Sequence, residues 1–455
     1  MTGKRKVLYV CHNHPAVRPG GAEIYSLELY EAMRASADFE PLLLCKGGPP
    51  VSAHGQPHEG TLLGPVDGDP NQHFFYTDRF DFDLFYGTVW DKDLYTQCFR
   101  EFLVAHRPDV VHFQHTLFLG YDILREVRNT LPEARIVYTL HEFMPICHRQ
   151  GQMVRAGSEE LCSEESPRRC HQCFPEITPQ AFFMRKRFIQ SQLSLVDLFL
   201  APSVFLLERY VAWGIPREKI RHEPNGRPTT ASPSAAEAER PRTRLAYFGQ
   251  FTPYKGATVL LRAMRILANE RRANGVSTQG HKWAARHTRH DEVAAPAEQE
   301  PHLWLYGANL ELQPGPYQNE FRELLEETRQ HVTLGGRYAP AILPTLMASI
   351  DWVVVPSVWW ENAPLVIQEA FEHGRPVICS DIGGMAEHVS AGVNGLHFRV
   401  GDPLDLARVI RQATATPGLW EQLRAGIRPV YRIENHVAAL SDMYKALLER
   451  QPVAV

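Results

Sequence analysis

Short uninterrupted apolar runs alternate with helical patterns twice over in this chain, and a polar, proline-containing break separates the two series. Residues 7–10, 41–45, 110–113 and 136–140 have the length and continuity of strands covered on both faces. Between them, Gly20-Gly21 opens a helical pattern with Ile24, Leu27 and Tyr30 on one face, and residues 95–106 and 119–129 read as further helices. Parallel strands need such crossovers to reach their neighbours, so the alternation predicts an α/β chain of doubly wound parallel sheets. Residues 222–243 hold almost no large apolar side chain and read as a linker. Apolar runs then resume at 245–248, 303–306, 332–334, 352–355 and 376–378. The expected organisation is one domain over 1–221, the linker over 222–243, a second domain over 244–430, and a closing segment over 431–455 with an amphipathic helix at 435–449. Residues 269–300 are polar without periodicity and are expected to form a surface loop.

A length of 455 residues with 44% hydrophobic and 22% charged residues fits ordinary globular domains. The net charge of −4 gives no global positive field for a nucleic-acid backbone, so no nucleic-acid partner is expected. The basic start, residues 1–6, is followed by an apolar run that ends at His12, too short for a signal peptide, and a cytoplasmic protein is expected. Residues 338–360 are the most apolar long stretch, but Asp351 and Pro340, Pro344 and Pro356 interrupt them, so they read as core rather than as a membrane span. Eight cysteines are too sparse for a disulfide scaffold.

Three strand ends in the second domain carry the chemistry. The run at 352–355 leads into Pro356-Ser357-Val358-Trp359-Trp360-Glu361-Asn362-Ala363-Pro364-Leu365-Val366-Ile367-Gln368-Glu369. Asn362 is expected to cap the helix that follows, Pro364 to sit in its first turn and Gly374 to close it. The free N–H groups of a helix starting there face the crevice where open α/β sheets bind ligands, which makes an anion site. Glu361 then stands at the helix mouth and Glu369 two turns inside, where carboxylates accept hydrogen bonds from hydroxyls. The alternative is a capping acid and a solvated helix face. The run at 376–378 leads into Asp381-Ile382-Gly383-Gly384, and that at 245–248 into Gly249-Gln250-Phe251-Thr252-Pro253-Tyr254-Lys255-Gly256. Paired glycines let backbone approach a ligand, and Lys255 adds a point charge at the same sheet edge. Each alone is an ordinary turn or a solvated lysine; three together at one edge make a site.

With Gly20-Gly21, Thr139-Leu140-His141 and Asn225-Gly226, the order and spacing of these motifs, including the Glu-x7-Glu from Glu361 to Glu369, resemble the family 4 retaining glycosyltransferases of the GT-B fold. The resemblance spans residues 7 to about 400. It implies two Rossmann-like domains facing each other across a cleft, the C-terminal one holding a nucleotide-sugar and the N-terminal one the acceptor, with the last helix crossing back to the N-terminal domain. It implies that Glu361 contacts the transferred sugar, with Ala363, Pro364 and Leu365 beside it, that Glu369 holds the ribose and that Lys255 holds the diphosphate. Backbone at Gly20-Gly21 and Gly383-Gly384 would line the donor site, and His141 would hydrogen-bond the sugar or its phosphate. The departing nucleoside diphosphate develops negative charge, which a cation and helix N-termini stabilise without a catalytic metal. That phosphate would take the acceptor proton on the same face, so the anomeric configuration is retained.

The family often has an arginine where this chain has Gln250, which leaves the donor clamp one bidentate phosphate group short. Arg337, after Gly335-Gly336, reads either as lying near the nucleotide or as a surface arginine. The implied activity is transfer of a sugar to a glycan or lipid-linked acceptor in surface polysaccharide synthesis. A non-catalytic sugar-nucleotide-binding scaffold and a sugar-nucleotide epimerase of the same fold are the rival readings.

Other signals stay open at the level of sequence. Cys147, Cys162, Cys170 and Cys173 are spaced C-x14-C-x7-C-x2-C, which suits a structural zinc site or four ordinary reduced thiols. Asp81-Phe82-Asp83, Asp67-Gly68-Asp69 and Asp91-Lys92-Asp93 match a metal-binding Asp-x-Asp, but no apolar strand precedes the first and the pattern is cheap here. His281, His287 and His290 fall in the polar 269–300 stretch and read as solvated. Residues 179–192 combine Phe182, Phe183, Phe188 and Ile189 with Arg185, Lys186 and Arg187, the composition of a helix lying on the inner membrane surface or of a plain surface helix.

Overall fold

The computed structural model describes residues 3–17, 20–47, 63–66, 68–76, 82–90, 92–228, 240–281 and 300–450. The chain divides into two compact units, Met1–Thr229 with Tyr431–Val455, and Thr230–Val430.

The first unit contains β1 (Arg5–Cys11), α1 (Gly21–Met33), β2 (Phe39–Gly47), β3 (Leu63–Val66), β4 (Asp69–Tyr76), β5 (Phe82–Asp83), β6 (Thr88–Val89), α2 (Asp93–His106), β7 (Val110–Phe113), α3 (Ile123–Thr130), β8 (Arg135–Thr139), α4 (Pro167–Cys173), α5 (Pro179–Leu193), β9 (Leu198–Ala201), α6 (Val204–Trp213) and β10 (Ile220–His222). Its main sheet has the order β10-β9-β8-β7-β1-β2-β4-β3, while β5 and β6 pair separately. All ladders of the main sheet are parallel except β3 with β4 at the edge. The strand order turns back between β1 and β7, so the loops leaving these two strands border one crevice, the place where open sheets of this type bind ligands.

The C-terminal helix, Ile433–Glu449, belongs to this unit. Its Ile433, Leu440, Tyr444 and Leu447 share a buried cluster with Tyr9 of β1 and Tyr25, Leu29 and Tyr30 of α1. Each fully buried side chain of this size contributes about 1.5–3 kcal/mol relative to exposure. The polar tips inside the cluster are paired: Tyr444 with His112 at 2.6 Å, His112 with Thr139 at 2.7 Å, and Tyr25 with His436 at 2.6 Å. Such a helix is held by packing along one face and by specific hydrogen bonds together.

The second unit contains β11 (Arg244–Gln250), α7 (Ala257–His281), β12 (His302–Ala308), α8 (Gly315–Glu327), β13 (Val332–Gly336), α9 (Leu343–Ser349), β14 (Trp352–Val355), α10 (Leu365–Glu372), β15 (Val377–Ser380), α11 (Gly383–His388), β16 (Gly395–Phe398), α12 (Pro403–Ala415) and α13 (Leu419–Ala425). Six parallel strands run in the order β13-β12-β11-β14-β15-β16, with the reversal between β11 and β14. Strand β14 is buried over its whole length, with Trp352 donating its indole N–H to the Arg242 carbonyl at 2.9 Å. Of the apolar stretch around it, residues 350–357 are core, while residues 339–342 are exposed. Among the described residues no helix is long and apolar enough to cross a membrane.

Two local expectations are corrected. The loop expected from Asn269 is helical as far as His281, because Glu270, Arg271, Arg272 and Ala273 are good helix formers and no proline follows to stop α7. His287 and His290 lie outside the described residues, as do Asp67, Asp81 and Asp91. Asn362 is not the helix cap: Pro364 occupies that position with an extended backbone and no side-chain cap bond. The ring of a proline drives the residue before it out of the helical region, so α10 starts at Leu365.

Candidate functional site

The reversal between β11 and β14 gathers most of the residues singled out in the second unit. After β11 the chain makes a single 3-10 turn, Pro253–Lys255, and reaches Gly256 in the left-handed region at φ +71°. A Cβ there would lie 1.8 Å from the Pro356 carbonyl oxygen, so this position needs glycine for both its backbone angle and its neighbour. The close approach sets Lys255 against the loop that leaves β14. The Lys255 ammonium stands 2.6 Å from Glu361 Oε1, and the same oxygen accepts Ser357 Oγ–H at 2.8 Å and Trp359 Nε1–H at 2.9 Å.

Glu361 is only 6% exposed. Burial alone would push its carboxyl up, but the Lys255 charge and the three hydrogen bonds outweigh that and hold it below the usual carboxylate range. Lys255 is about one-third exposed and lies 5.3 Å from the Trp359 ring centre. The arrangement fixes an ionised carboxylate and a cation side by side before any ligand arrives.

The glycine pair after β15 closes on the same loop. Gly383 adopts φ +55°, and the Gly384 amide donates to the Glu361 carbonyl at 2.8 Å. A Cβ on Gly384 would lie 1.5 Å from the Asn362 carbonyl oxygen. Ala363, Pro364 and Leu365 follow, half-buried, leading to an α10 N-terminus without a side-chain cap. That N-terminus is suited to an anion. Glu369, one face along α10, is half-buried, and its charge helps hold the nearby Tyr338 hydroxyl protonated, after burial of that tyrosine. Gln250 is exposed at the end of β11, where its carbonyl accepts the Tyr247 hydroxyl at 2.7 Å. Arg337 is 70% exposed and pairs with Glu311 at 2.8 Å, so it is a surface arginine.

In the first unit the β1–β7 reversal holds a second polar group. Gly20 is the extended residue that starts α1, and Gly21 is its first helical residue. Glu23, in the first turn, lies so close that a Cβ on Gly20 would meet its carboxylate oxygen at 2.5 Å. His12, one residue past β1, stands 3.1 Å from Glu23, and its ring packs 4.1 Å from that of His115, which follows β7. His115 in turn is 3.6 Å from Glu142. Burial works against a charged His12, yet hydrogen bonds to Cys11 and Glu23 raise it to about 10. Burial pushes Glu142 up to about 8.

His141, at the end of β8, reaches Gln114 Oε1 with its Nε2 at 3.0 Å, and burial lowers it to about 3, so it is neutral at pH 7. Gln114 is fully buried, and its Nε2 has no hydrogen-bond partner among the described residues. His12, Glu23, Gln114, His115 and Glu142 were not singled out from sequence. The available signal was a polar residue just past each apolar run, which becomes informative only once the strand order is known.

The remaining candidates separate. Asp83 caps its own turn, accepting the Phe85 and Tyr86 amides at 2.8 and 3.1 Å, and Asp69 accepts the Tyr30 hydroxyl at 2.8 Å and Arg34 at 3.1 Å. Both have structural work. Of the three basic residues of α5, Arg185 is 5% exposed and donates to the carbonyls of Phe85, Met144 and Pro145, Lys186 pairs with Glu165 at 3.2 Å, and Arg187 is exposed. Phe183 and Met184 are exposed as well.

Comparisons with known proteins match both units. A family model described as Glycosyl transferases group 1 matches residues 242–415, and one described as Glycosyltransferase Family 4 matches residues 19–231. The chain is 24% identical over 276 residues to a lipopolysaccharide 1,2-N-acetylglucosaminetransferase of Salmonella typhimurium, spanning 61% of this chain and 56% of that relative, little more than half its length. Among solved structures, sucrose-phosphate synthase from Thermosynechococcus elongatus is similar with a TM-score of 0.67 at 17% identity, covering 97% of this chain and 99% of that one. Anabaena Alr3699/HepE in complex with UDP is similar with a TM-score of 0.60 at 17% identity, covering 97% and 100%.

Proposed function

The chain belongs to the family 4 glycosyltransferases of the GT-B fold, and from that premise we propose that it moves a sugar, with retention of configuration, from a nucleotide-sugar to a glycan or lipid-linked acceptor in surface polysaccharide assembly. The observation that carries this reading is the Lys255–Glu361 pair at 2.6 Å, seated beside the uncapped α10 N-terminus at the strand reversal of the second unit.

In this reading the diphosphate of the donor lies against the Lys255 ammonium and the first amides of α10 and α11. Charge that develops on the leaving phosphate meets a fixed cation and fixed dipoles, which stabilise it without reorganisation. Glu361, held ionised by Lys255, Ser357 and Trp359, turns its carboxylate to the hydroxyls of the transferred sugar, with Ala363, Pro364 and Leu365 alongside. Glu369 accepts the ribose hydroxyls. Gln250 stands where an arginine would bind phosphate bidentately, so Lys255 and backbone amides carry the larger share. The chemistry needs no catalytic metal.

His141 and the backbone at Gly20-Gly21 bind the sugar and its phosphate from residues of the first unit. His141 does so as a neutral imidazole, Nε2–H directed to Gln114 and Nδ1 left as an acceptor. The departing phosphate takes the acceptor proton on the face it leaves. Uridine is the base to try first, since a protein of similar fold was solved with UDP, and lipopolysaccharide-type glycans are the acceptors to try first, given the Salmonella relative. With the acceptor carried on a lipid, exposed Phe183 and Met184 of α5 are the side chains that meet the membrane surface.

The test is donor turnover followed by NMR of the product anomer. Purified protein given UDP-sugars and cell-envelope glycan should release UDP and form a linkage of the donor's own anomeric configuration. Release of an epimerised free sugar without acceptor would favour the epimerase, and no turnover with nucleotide binding intact would favour the scaffold.

A further inference from the structure

We propose that Cys147, Cys162, Cys170 and Cys173 form a structural zinc site of four thiolates, which ties the segment between β8 and α5 into one body. Residues 140–178 contain little regular structure besides α4, with one isolated bridge between Val154 and Leu161. The backbone turns sharply there, with Gln150, Met153 and Glu159 all at positive φ. Phe143, Ile146, Met153 and Val154 are nevertheless buried. Side chains from neighbouring elements hold part of the segment, Arg185 on the Met144 and Pro145 carbonyls, Tyr210 on that of Glu142 and Arg209 on that of Ser163, and a metal bound by the four cysteines would add a cross-link within it.

The four cysteines, spread over the sequence, line a single cavity of about 30 Å³. That volume is large enough for one ion. Cys170 and Cys173 lie one turn apart on α4, on a common face. Cys147 opens a tight turn closed by the Gly151 amide, which donates to the Cys147 carbonyl at 3.0 Å. None of the eight cysteines is in a disulfide.

Charge supports the same ligand. One Zn²⁺ displacing four thiol protons and forming four Zn–S bonds of about 2.3 Å leaves a centre of net charge −2. Arg149, Arg155 and Arg169 line the same cavity and offset that charge. As the side chains stand, no three His, Cys, Asp or Glu groups among the described residues are set to hold an ion. Closing the site requires the thiols to reorient, that of Cys162 giving up its bond to the Glu164 carbonyl at 3.1 Å. His148, also on the cavity wall, is packed against Phe85 and Phe174 and is not assigned as a ligand.

The experiment is elemental analysis of the full chain, reduced and purified without chelator, with release of bound metal by a mercurial thiol reagent read by a zinc dye. About one zinc per chain is expected, lost in Cys170→Ser and Cys173→Ser and kept in Cys98→Ala, a buried cysteine of α2 outside the cluster. Metal-free protein that takes up no zinc from added zinc chloride, with an unchanged thermal midpoint, overturns the proposal. Zinc retained in the Cys170→Ser/Cys173→Ser double variant does so too. Should the serine variants not fold, the zinc content of the unaltered chain decides. None of these readouts depends on the sugar-transfer reading.

Discussion

Lys255 and Glu361 sit 106 residues apart in sequence and 2.6 Å apart in space. Their contact is made by two loops that leave adjacent parallel strands, β11 and β14, and it is locked by Gly256, whose Cα approaches the Pro356 carbonyl too closely for any side chain. Because Lys255 is part exposed and Glu361 is buried, the pair offers a cation to the outside and anchors it from within.

Replacing the cation is expected to cost both activity and stability. Lys255→Ala leaves Glu361 with only the Ser357 and Trp359 donors, and the loss of a charged hydrogen-bond partner costs about 1–3 kcal/mol. Turnover should fall by about 10²–10³-fold, the scale for removing one group that stabilises a developing anion. Thermal melts and donor-turnover rates of the same preparation check both, and a variant with near-normal turnover would remove Lys255 from the leaving-group site.

In the proposed donor site the two glutamates divide the donor between them. Glu369→Ala is expected to weaken nucleoside diphosphate binding by about tenfold or more, one lost charged hydrogen bond being about 1.5–3 kcal/mol. Glu361→Gln should leave the free nucleotide nearly unaffected and impair the sugar conjugate. Titration of both ligands against both variants separates the roles; equal losses for the two ligands would contradict the division.

Gly384 is a packing requirement rather than a hinge. Gly384→Ala forces its methyl into the Asn362 carbonyl and moves α11 away from the Glu361 loop. Overpacking of this sort costs about 1–3 kcal/mol or somewhat more, and donor binding should fall with it. Alanine at Gly401, where no atom lies within 4 Å but φ is +71°, tests backbone strain without the collision, and it should leave donor binding intact.

His141 makes the first unit acid-sensitive. Its folded value of about 3 lies below the ordinary 6.5, so the unfolded chain takes a proton that the folded chain refuses. The stability it contributes is present above pH 6.5 and is lost as pH falls from there toward 3. Thermal midpoints at pH 7.5 and pH 5 should therefore converge in His141→Gln relative to the unaltered chain. An unchanged difference would mean that His141 is readily protonated in the fold.

The proposed contact with a lipid surface rests on Phe183 and Met184. The Phe183→Ser/Met184→Ser double variant should sediment less with anionic vesicles than the unaltered chain, with affinity lower by about thirtyfold if both side chains insert, since each contributes on the order of 1 kcal/mol. Lys186→Gln should matter less, because Lys186 already pairs with Glu165.

The central strands and the 356–371 motif were legible because continuous apolar runs, Pro364 and the glycines carry their structure locally. Edge strands β3 and β4 were not, since Pro65, Pro70 and mixed polarity blur the pattern. The polar group of the first unit was illegible for another reason. His12, Gln114, His115 and Glu142 are spread over some 130 residues, and only the adjacency of β8, β7 and β1 brings them together. Arg185 shows the limit of composition: three adjacent positive residues look like a basic face, yet the helix turns one of them inward to bind three carbonyls. The α7 extension was missed because a polar helix without an apolar stripe has no periodicity to read.

The most direct measurement is a calorimetric titration of the full chain with UDP, GDP, dTDP, CDP and ADP, repeated with Lys255→Ala and Glu369→Ala. The account predicts saturable one-to-one binding of one of these nucleotides, weakened at least tenfold in both variants. Absence of binding by all five, or a nucleotide bound equally by all three proteins, would contradict a donor site built on Lys255, Glu361 and Glu369.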